Sequence, residues 1–389
     1  MILDKFPTAD AFYKTYWGKK PFIVRNFVDS TLMETFVDGD TMAGLALEED
    51  IKSRIVTNDS SGQQWECEHG PFDESRFSEL GARDWSLLVQ NVEQYHTDTA
   101  KLLEHFHFSP RWLLDDIMVS YSAPGGSVGP HTDSYHTFLV QGIGVRKWKL
   151  SANPVMDKNY IEGMDIKVLQ NGFEGEDFEV RMGDVIYIPP HFGHEGVTLE
   201  TAMTFSVGFL GPKMSEMMAE YAAYLEEEES RDKRYLGEGM AVDSGAFSIS
   251  SQEQNTIRRD LINAIQSDDF TRWMAQYFST PTYTDIENIE PRDEPLEEAD
   301  ILDALQKGEV LHRAEYIKLS ITTAFDGALN LAVYGQVISN ALAHKPLIEI
   351  LDRNEIISIK NLDGLGEQDA IITLITQLYN LNVLSFEDW

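Results

Sequence analysis

Short runs of alternating apolar and polar side chains recur from Asp116 to Gly208 and stop after Gly211-Pro212. A period of two is the mark of half-buried strands. Asp116 to Ser122, Phe138 to Gln141, Lys147 to Leu150, Phe178 to Arg181, Val185 to Ile188 and Thr204 to Gly208 therefore read as strands, with turns at Gly142-Ile143-Gly144 and Gly183-Asp184. Short strands at such regular spacing predict a jelly roll, a double-stranded β-helix. Ahead of them, Phe22 to Val24 reads as a strand after the breakers Gly18 and Pro21. Ile51 to Val56 and Gln64 to Cys67 read as a hairpin around Asp59-Ser60-Ser61-Gly62. Thr41 to Glu49 and Trp85 to Leu103 are predicted helices that buttress the barrel.

Beyond residue 211 the spacing turns helical. Met214 to Glu228 carries Met217, Met218, Tyr221 and Tyr224, and Gln252 to Phe278 gives two more helices with stripes such as Ile257, Leu261 and Ile265. Three such helices are too thin to bury a core alone, which predicts packing on another surface, most simply in a symmetric homodimer. Thr280-Pro281 and the acidic stretch Asp285 to Glu298, with Pro291 and Pro295, predict a linker. A helix at Leu296 to Leu305 follows, then strands at Val310 to Leu319 and Leu329 to Val337. Helix Pro346 to Leu351, strand Ile357 to Ile359 and helix Gln368 to Tyr379 complete the order of a winged helix. The expected division is a mostly β catalytic domain over 1–210, a helical dimerisation region over 211–280, an acidic linker over 281–295 and a winged-helix-like α+β domain over 296–389.

Composition narrows the functional classes. The 389 residues include 42% hydrophobic and 11% aromatic side chains, the balance of a packed globular protein. No apolar run reaches the roughly 18 residues that span a bilayer, and the N-terminal residues lack the pattern of a signal peptide, so a cytoplasmic protein is expected. The one cysteine, Cys67, excludes an intrachain disulfide. With 65 acidic against 31 basic residues, the net charge is −34. Such a surface repels phosphates and attracts a basic partner, although the charge also serves solubility. Residues 291–389 carry 7 basic and 17 acidic side chains, the wrong sign for a DNA-reading winged helix.

The candidate chemistry lies in the alternating region. In Val128-Gly129-Pro130-His131-Thr132-Asp133 the period of two sends His131 and Asp133 to one face. A second segment, Gly183 to His194, reads as a buried strand ended by Pro189-Pro190 just before His194. Two imidazoles and one carboxylate leave positions open on an octahedral metal, which suits Fe(II) with a co-substrate and O2. Arg146 stands on the following strand; by residue type alone it reads as an exposed hairpin arginine, and alternatively as a fork for a carboxylate. Asp116 and Met118 share a face of their strand, and Tyr135 shares a face with Asp133. They, with Ser206, either line a pocket for a cationic side chain or serve capping and barrel packing. His69, His96, His105 and His107 read as ordinary surface or packing histidines.

Both metal-bearing blocks resemble the glycine-punctuated motifs of the cupin superfamily. Trp17-Gly18-Lys19-Lys20-Pro21, Gly70-Pro71-Phe72, Trp85 to Gln90, Asp115 to Met118, Pro124 to Asp133, Gln141 to Trp148, Gly183 to Glu195 and Ser206 to Phe209 together resemble the JmjC-type ribosomal oxygenases over nearly the whole chain. The resemblance implies Fe(II) on His131, Asp133 and His194, and Arg146 on the distal carboxylate of 2-oxoglutarate. It also implies hydroxylation of an arginine side chain in a large-subunit ribosomal protein of the L-sixteen family, with release of succinate and CO2. A JmjC demethylase, a small-molecule hydroxylase and a non-catalytic cupin sensor signalling through the winged helix are the other readings of such a scaffold.

Overall fold

The alternating runs pair into two sheets in the computed structural model, which describes all residues except 60–63, 157–158, 165, 228, 238–246, 282–291, 340–341, 354 and 388–389. In chain order these strands are β1 (Ile2–Leu3), β2 (Phe22–Val24), β3 (Ser53–Asn58), β4 (Trp65–His69), β5 (Trp85–Val89), β6 (Leu114–Ser122), β7 (His131–Thr132), β8 (His136–Gln141), β9 (Arg146–Pro154), β10 (Glu176–Val180), β11 (Val185–Ile188), β12 (Phe192–Thr198) and β13 (Ala202–Phe209). The larger sheet has nine strands in the order β1-β2-β11-β8-β13-β6-β5-β3-β4, and the smaller has four in the order β10-β9-β12-β7. Together they form the expected jelly roll.

Alternation along the central strands serves two cores. Ile117, Val119, Phe138, Val140, Tyr187, Phe205 and Val207 pack with Phe12, Met42, Leu102 and Phe106 from the N-terminal helices and turns. The intervening Leu139, Ile186 and Ile188 face the other way and meet Trp148, Leu150 and Phe192 of the small sheet. Burial of each such side chain contributes roughly 1.5–3 kcal/mol. A slip of one residue would turn both apolar sets outward, so the pairing register is fixed from both faces.

Two expectations in this half change. Trp85 to Val89 is strand β5, not the start of a helix; short helical turns at Val92–Tyr95 and Thr97–Ala100 follow it. The reason is burial on both faces: Leu87 and Val89 join the outer core while Leu88 faces the barrel interior. An unbroken apolar run is what such a strand shows. The predicted helix at Thr41 to Glu49 is shorter, Gly39–Leu45, capped by Asp38, whose side chain accepts from the Thr41 N–H. The hairpin of β3 and β4 is present with Asn58 opposite Trp65, while its turn lies outside the described residues.

Pro212–Trp389 is a second compact unit. Its strands are β14 (His312–Arg313), β15 (Leu319–Thr323), β16 (Leu329–Val333), β17 (Gln336–Ser339) and β18 (Leu384–Ser385). Helix Met214–Glu226 buries Tyr221 and Tyr224 beside Trp273, with Met217 and Phe270 packed against them, whereas Met218 is 64% exposed. Tyr221 thus packs within the chain, and its hydroxyl donates to the Ala264 carbonyl. Helix Asp268–Ser279 lies on the sheet β15-β16-β17: the Thr322 hydroxyl donates to the Thr271 carbonyl at 2.9 Å and the Gln276 amide to the Gly335 carbonyl at 3.3 Å. Helices Glu298–Gln306, Lys345–Asp352 and Gln368–Asn380 enclose the remaining core through Ile301, Leu347, Ile371 and Ile375.

Three C-terminal expectations are corrected. Leu329 to Val337 is a hairpin, because Tyr334 and Gly335 both take positive φ, +51° and +73°, the backbone of a tight primed turn. Val310 to Leu319 is not one strand; it contains only β14, with Leu319 opening β15. Ile357 makes a single bridge to Leu311 and leads into the helical turn Ile359–Leu362. Most of the acidic linker lies outside the described residues.

Candidate active site

Strands β7 and β12 run side by side with His131 opposite His194. Their ring centroids are 4.1 Å apart, and His194 Nε2 lies 3.3 Å from Asp133 Oδ2. One donor atom from each of the three residues falls within 4.8 Å of the others, and no second such cluster occurs among the described residues. Each ring is held from behind: His131 Nδ1 is 2.8 Å from the Gly129 carbonyl, and His194 Nδ1 is 3.1 Å from that of Phe192. A carbonyl only accepts, so Nδ1 carries the proton in both rings and Nε2 keeps its lone pair for a metal. Gly129 sits at φ +79°, and a Cβ there would come 2.9 Å from Val168, so a side chain is excluded where its carbonyl meets His131.

The electrostatics suit a metal. Burial, and next the charge of His194, push His131 down to about 4, which keeps the imidazole neutral. Burial alone would raise the Asp133 carboxyl, but His194, His131 and Arg54 together hold it below its ordinary value. Two imidazoles and a carboxylate are the donor set of non-haem iron with open positions.

Arg146 is not the exposed hairpin residue that its type suggests. It is 4% exposed, at the start of β9, with the guanidinium 5.3 Å from the Trp148 ring. Nη1 donates to Ser120 Oγ at 3.3 Å and Thr204 Oγ1 at 3.1 Å, while buried Nε has no partner. No carboxylate pairs with it among the described residues, and burial pushes its pKa down to about 10, still charged at neutral pH. A buried cation without a counter-ion is a seat for an anion.

One cavity of about 320 Å³ joins this guanidinium to His131, Asp133 and His194. Its wall on the large sheet consists of register rows. Arg54, Leu88, Ser120 and Thr204 stand opposite one another across β3, β5, β6 and β13, and Met118, Ser206 and Leu139 form the next row. Met118 and Ser206 thus line the cavity, and Tyr135 lines it as well. Asp116 does not line it directly. It lies buried at the end of the same face, where β6 carries an irregularity: Ile117 opposes Val207 and Leu114 opposes Phe209, so Asp115 and Asp116 together face Gly208.

The comparisons with known proteins agree with this geometry. The JmjC domain family matches residues 101–217, and the ROXA-like winged helix matches 257–385. Ribosomal protein uL16 3-hydroxylase of Escherichia coli (strain K12) is 32% identical over 381 residues, 97% of this chain and 97% of that protein. The chain belongs to the JmjC ribosomal oxygenases. Structures of Escherichia coli YcfD, a ribosomal oxygenase, superpose on this oxygenase over its whole length. One has a TM-score of 0.83 at 31% identity, covering 100% of both chains. Another, in complex with cobalt and 2-oxoglutarate, has a TM-score of 0.79 at 30% identity, covering 99% of both.

Several pocket residues of this oxygenase carried no signal in the sequence. Ser120 and Thr204 hold Arg146, and Gln141 accepts from Thr204 at 3.2 Å. Small polar residues on strands are common, and only the cross-strand register shows that these share a row with Arg54. That arginine brings a second cation into the cavity, its Nη2 3.7 Å from Met118 Sδ.

A second acid stands behind Asp116. Glu93 is 3% exposed and its Oε2 accepts from the Ile117 N–H at 2.8 Å, while Asp116 Oδ2 accepts from the Asn91 N–H at 3.4 Å. Burial, then Asp116, push Glu93 up to about 8; burial, then Asp115, push Asp116 up to about 7. The unfolded chain releases the Glu93 proton near its ordinary value, so between there and about 8 the folded state holds the extra proton. Stability consequently falls as pH rises through that window. Glu93→Gln keeps an acceptor for Ile117 without the charge. It is expected to melt higher than the parent at pH 8.5, by about 2–4 °C for each kcal/mol relieved, and alike at pH 5. Equal melting shifts at both pH values would show that Glu93 is already neutralised by another group.

Proposed function

We propose that this chain is an Fe(II)- and 2-oxoglutarate-dependent protein hydroxylase that acts at carbon 3 of an arginine side chain in a ribosomal protein of the uL16 family. The observation that carries the reading is Arg146, a buried guanidinium without an acid partner, in one cavity with His131, Asp133 and His194. His131, Asp133 and His194 hold the iron, and Arg146 takes the distal carboxylate of 2-oxoglutarate through its planar fork. Bound iron supplies the redox chemistry that splits O2 between 2-oxoglutarate, which becomes succinate and CO2, and a carbon–hydrogen bond, which becomes an alcohol.

The protein's own part is placement. Ser120 and Thr204 fix the Arg146 fork, and Leu88, Leu139 and Trp148 supply apolar wall that limits water around it. Asp116, Tyr135, Met118 and Ser206 receive the substrate arginine: a carboxylate for the guanidinium, a ring to stack on it, a thioether beside its stem and a hydroxyl acceptor. Burial, then Asp133, Asp116 and Asp115, push the Tyr135 hydroxyl up, so it stays protonated as a donor. The net charge of −34 steers a basic ribosomal protein toward the enzyme in the cytoplasm. A homodimer forms through the helical region after residue 211, where Met214, Met218, Leu261 and Ile265 are exposed.

Mass spectrometry of ribosomal proteins from cells with and without this gene tests the reading. One extra oxygen on a single arginine of the uL16 protein is expected only where the gene is present. Identical masses, or an oxygen placed on a different protein, would overturn the substrate assignment.

A further inference from the structure

Buried residues of β9 and β12 form a short ladder in the small sheet. Arg146 stands opposite Thr198, Trp148 opposite Gly196 and Leu150 opposite His194. The first and last rungs are four residues apart, about 13 Å along an extended strand. The guanidinium thus meets the cavity from one end of the ladder and His194 from the other. Trp148 and Gly196 hold the rung between them, and both line the cavity.

The middle rung is built around the indole. A Cβ on Gly196 would come 2.7 Å from Cζ2, 2.8 Å from Cη2 and 2.9 Å from Cε2 of Trp148, so the ring lies across that position and a side chain there would displace it. Gly196 is not among the glycines at positive φ; the ring requires the glycine, not the backbone. The Arg146 guanidinium is 5.3 Å from the ring centroid, and the His194 ring is 6.2 Å from it, tilted by 33°. Trp148 is buried in one cluster with Leu139 and Leu150, so it cannot swing aside. Its Nε1 has no partner, and neither do Arg146 Nε and Thr198 Oγ1 on the neighbouring rung. Buried polar groups are rarely left so, and three together point to a ligand end rich in oxygen on the Arg146 side.

We infer that Trp148, laid across Gly196, determines the chain length of the dicarboxylate co-substrate: the indole walls the lane between the Arg146 guanidinium and the metal ligands, leaving width for an extended five-carbon chain and none for a longer one to bow. This rests on the assignment of Arg146 to the distal carboxylate. Both ends of the lane are fixed, one by the hydroxyls of Ser120 and Thr204 on Arg146, the other by the carbonyls behind His131 and His194. A longer diacid held at both ends has to bend. On one side the bend meets the ring, and on the other the cavity wall of Leu139, Ser120 and Thr204.

Calorimetric titration of three acids into the Mn(II)-loaded protein tests this: 2-oxoglutarate, its six-carbon homologue 2-oxoadipate, and 2-oxopentanoate, which lacks the distal carboxylate. The parent is expected to favour 2-oxoglutarate over 2-oxoadipate about tenfold or more, the scale on which a pocket rejects one methylene too many. In Trp148→Leu that ratio is expected to fall to about threefold or less, because the space left by the indole takes the bend, with the preference for 2-oxoglutarate over 2-oxopentanoate kept. A tryptophan serving only the fold would weaken all three acids alike, and a parental ratio of the two diacids in folded Trp148→Leu would overturn the inference. If melting shows that variant unfolded, Trp148→Phe decides: its ratio is expected at about half the parental value or below, and a parental ratio overturns the inference. An Arg146→Met protein that still favours 2-oxoglutarate over 2-oxopentanoate as the parent does would instead overturn the assignment of Arg146 on which the inference rests.

Discussion

Asp133→Ala is expected to abolish 2-oxoglutarate turnover and to weaken metal binding by more than about a hundredfold, with the jelly roll still folded. Loss of a group that only supports a metal ligand already costs about 10–100-fold, and Asp133 is a proposed ligand. The substitution leaves both rings placed, because His131 is held by the Gly129 carbonyl and His194 by that of Phe192, neither of which involves Asp133. It removes the only anion of the donor set, so the remaining two imidazoles have neither the charge nor the number of donors to hold iron in place. Mn(II) titration separates this from unfolding: the variant should keep its melting temperature and lose its metal response. Turnover at the parental level would remove Asp133 from the ligand set and require another carboxylate.

Arg146→Lys is expected to raise the KM for 2-oxoglutarate by roughly 30- to 150-fold, the equivalent of about 2–3 kcal/mol for a charge-assisted hydrogen-bond pair. Two physical losses add. A lysine ammonium cannot present two parallel N–H groups to a carboxylate, and it cannot span from Trp148 to Ser120 and Thr204 as the guanidinium does. It is also easier to discharge. Burial lowers Arg146 to about 10, where it remains charged, whereas a lysine that starts lower and meets the same desolvation loses its proton closer to neutrality. The lysine variant should therefore recover part of its co-substrate affinity as pH falls from 8 to 6.5, a trend absent from the parent. An unchanged KM would place the distal carboxylate elsewhere, with Arg54 and Lys167 the other cations in the cavity.

The candidate metal ligands are legible because each carries local syntax. His131 and Asp133 show a period of two on an extended segment, and His194 follows a buried strand that ends in prolines. Arg146 was ambiguous by type, and only the family resemblance put it inside. What stayed hidden depended on pairing between distant segments. Leu87-Leu88-Val89 looked helical because burial on both faces erases alternation. Simple alternation sets Asp116 on the face of Met118 and does not anticipate the irregularity that sets it against Gly208. Spacing alone assigns Tyr221 to an outward stripe, but Phe270 and Trp273, dozens of residues later, cover it.

The strand order of the large sheet has a consequence for synthesis of the chain. β13 is the last strand of its unit to be made, yet it lies between β6 and β8 in the middle of the sheet. It supplies Thr204 to the Arg146 fork and Ser206 to the cavity wall. His131 likewise waits for β12 before it meets His194. Until residue 209 has left the ribosome, the nascent polypeptide has neither the finished surroundings of Arg146 nor a closed sheet, and β6 and β8 each expose an unpaired edge. Capture of iron and of 2-oxoglutarate is thus expected only after translation of the whole unit, and an interrupted product ending before β13 is expected to lack the completed cavity and to present open strand edges to aggregation.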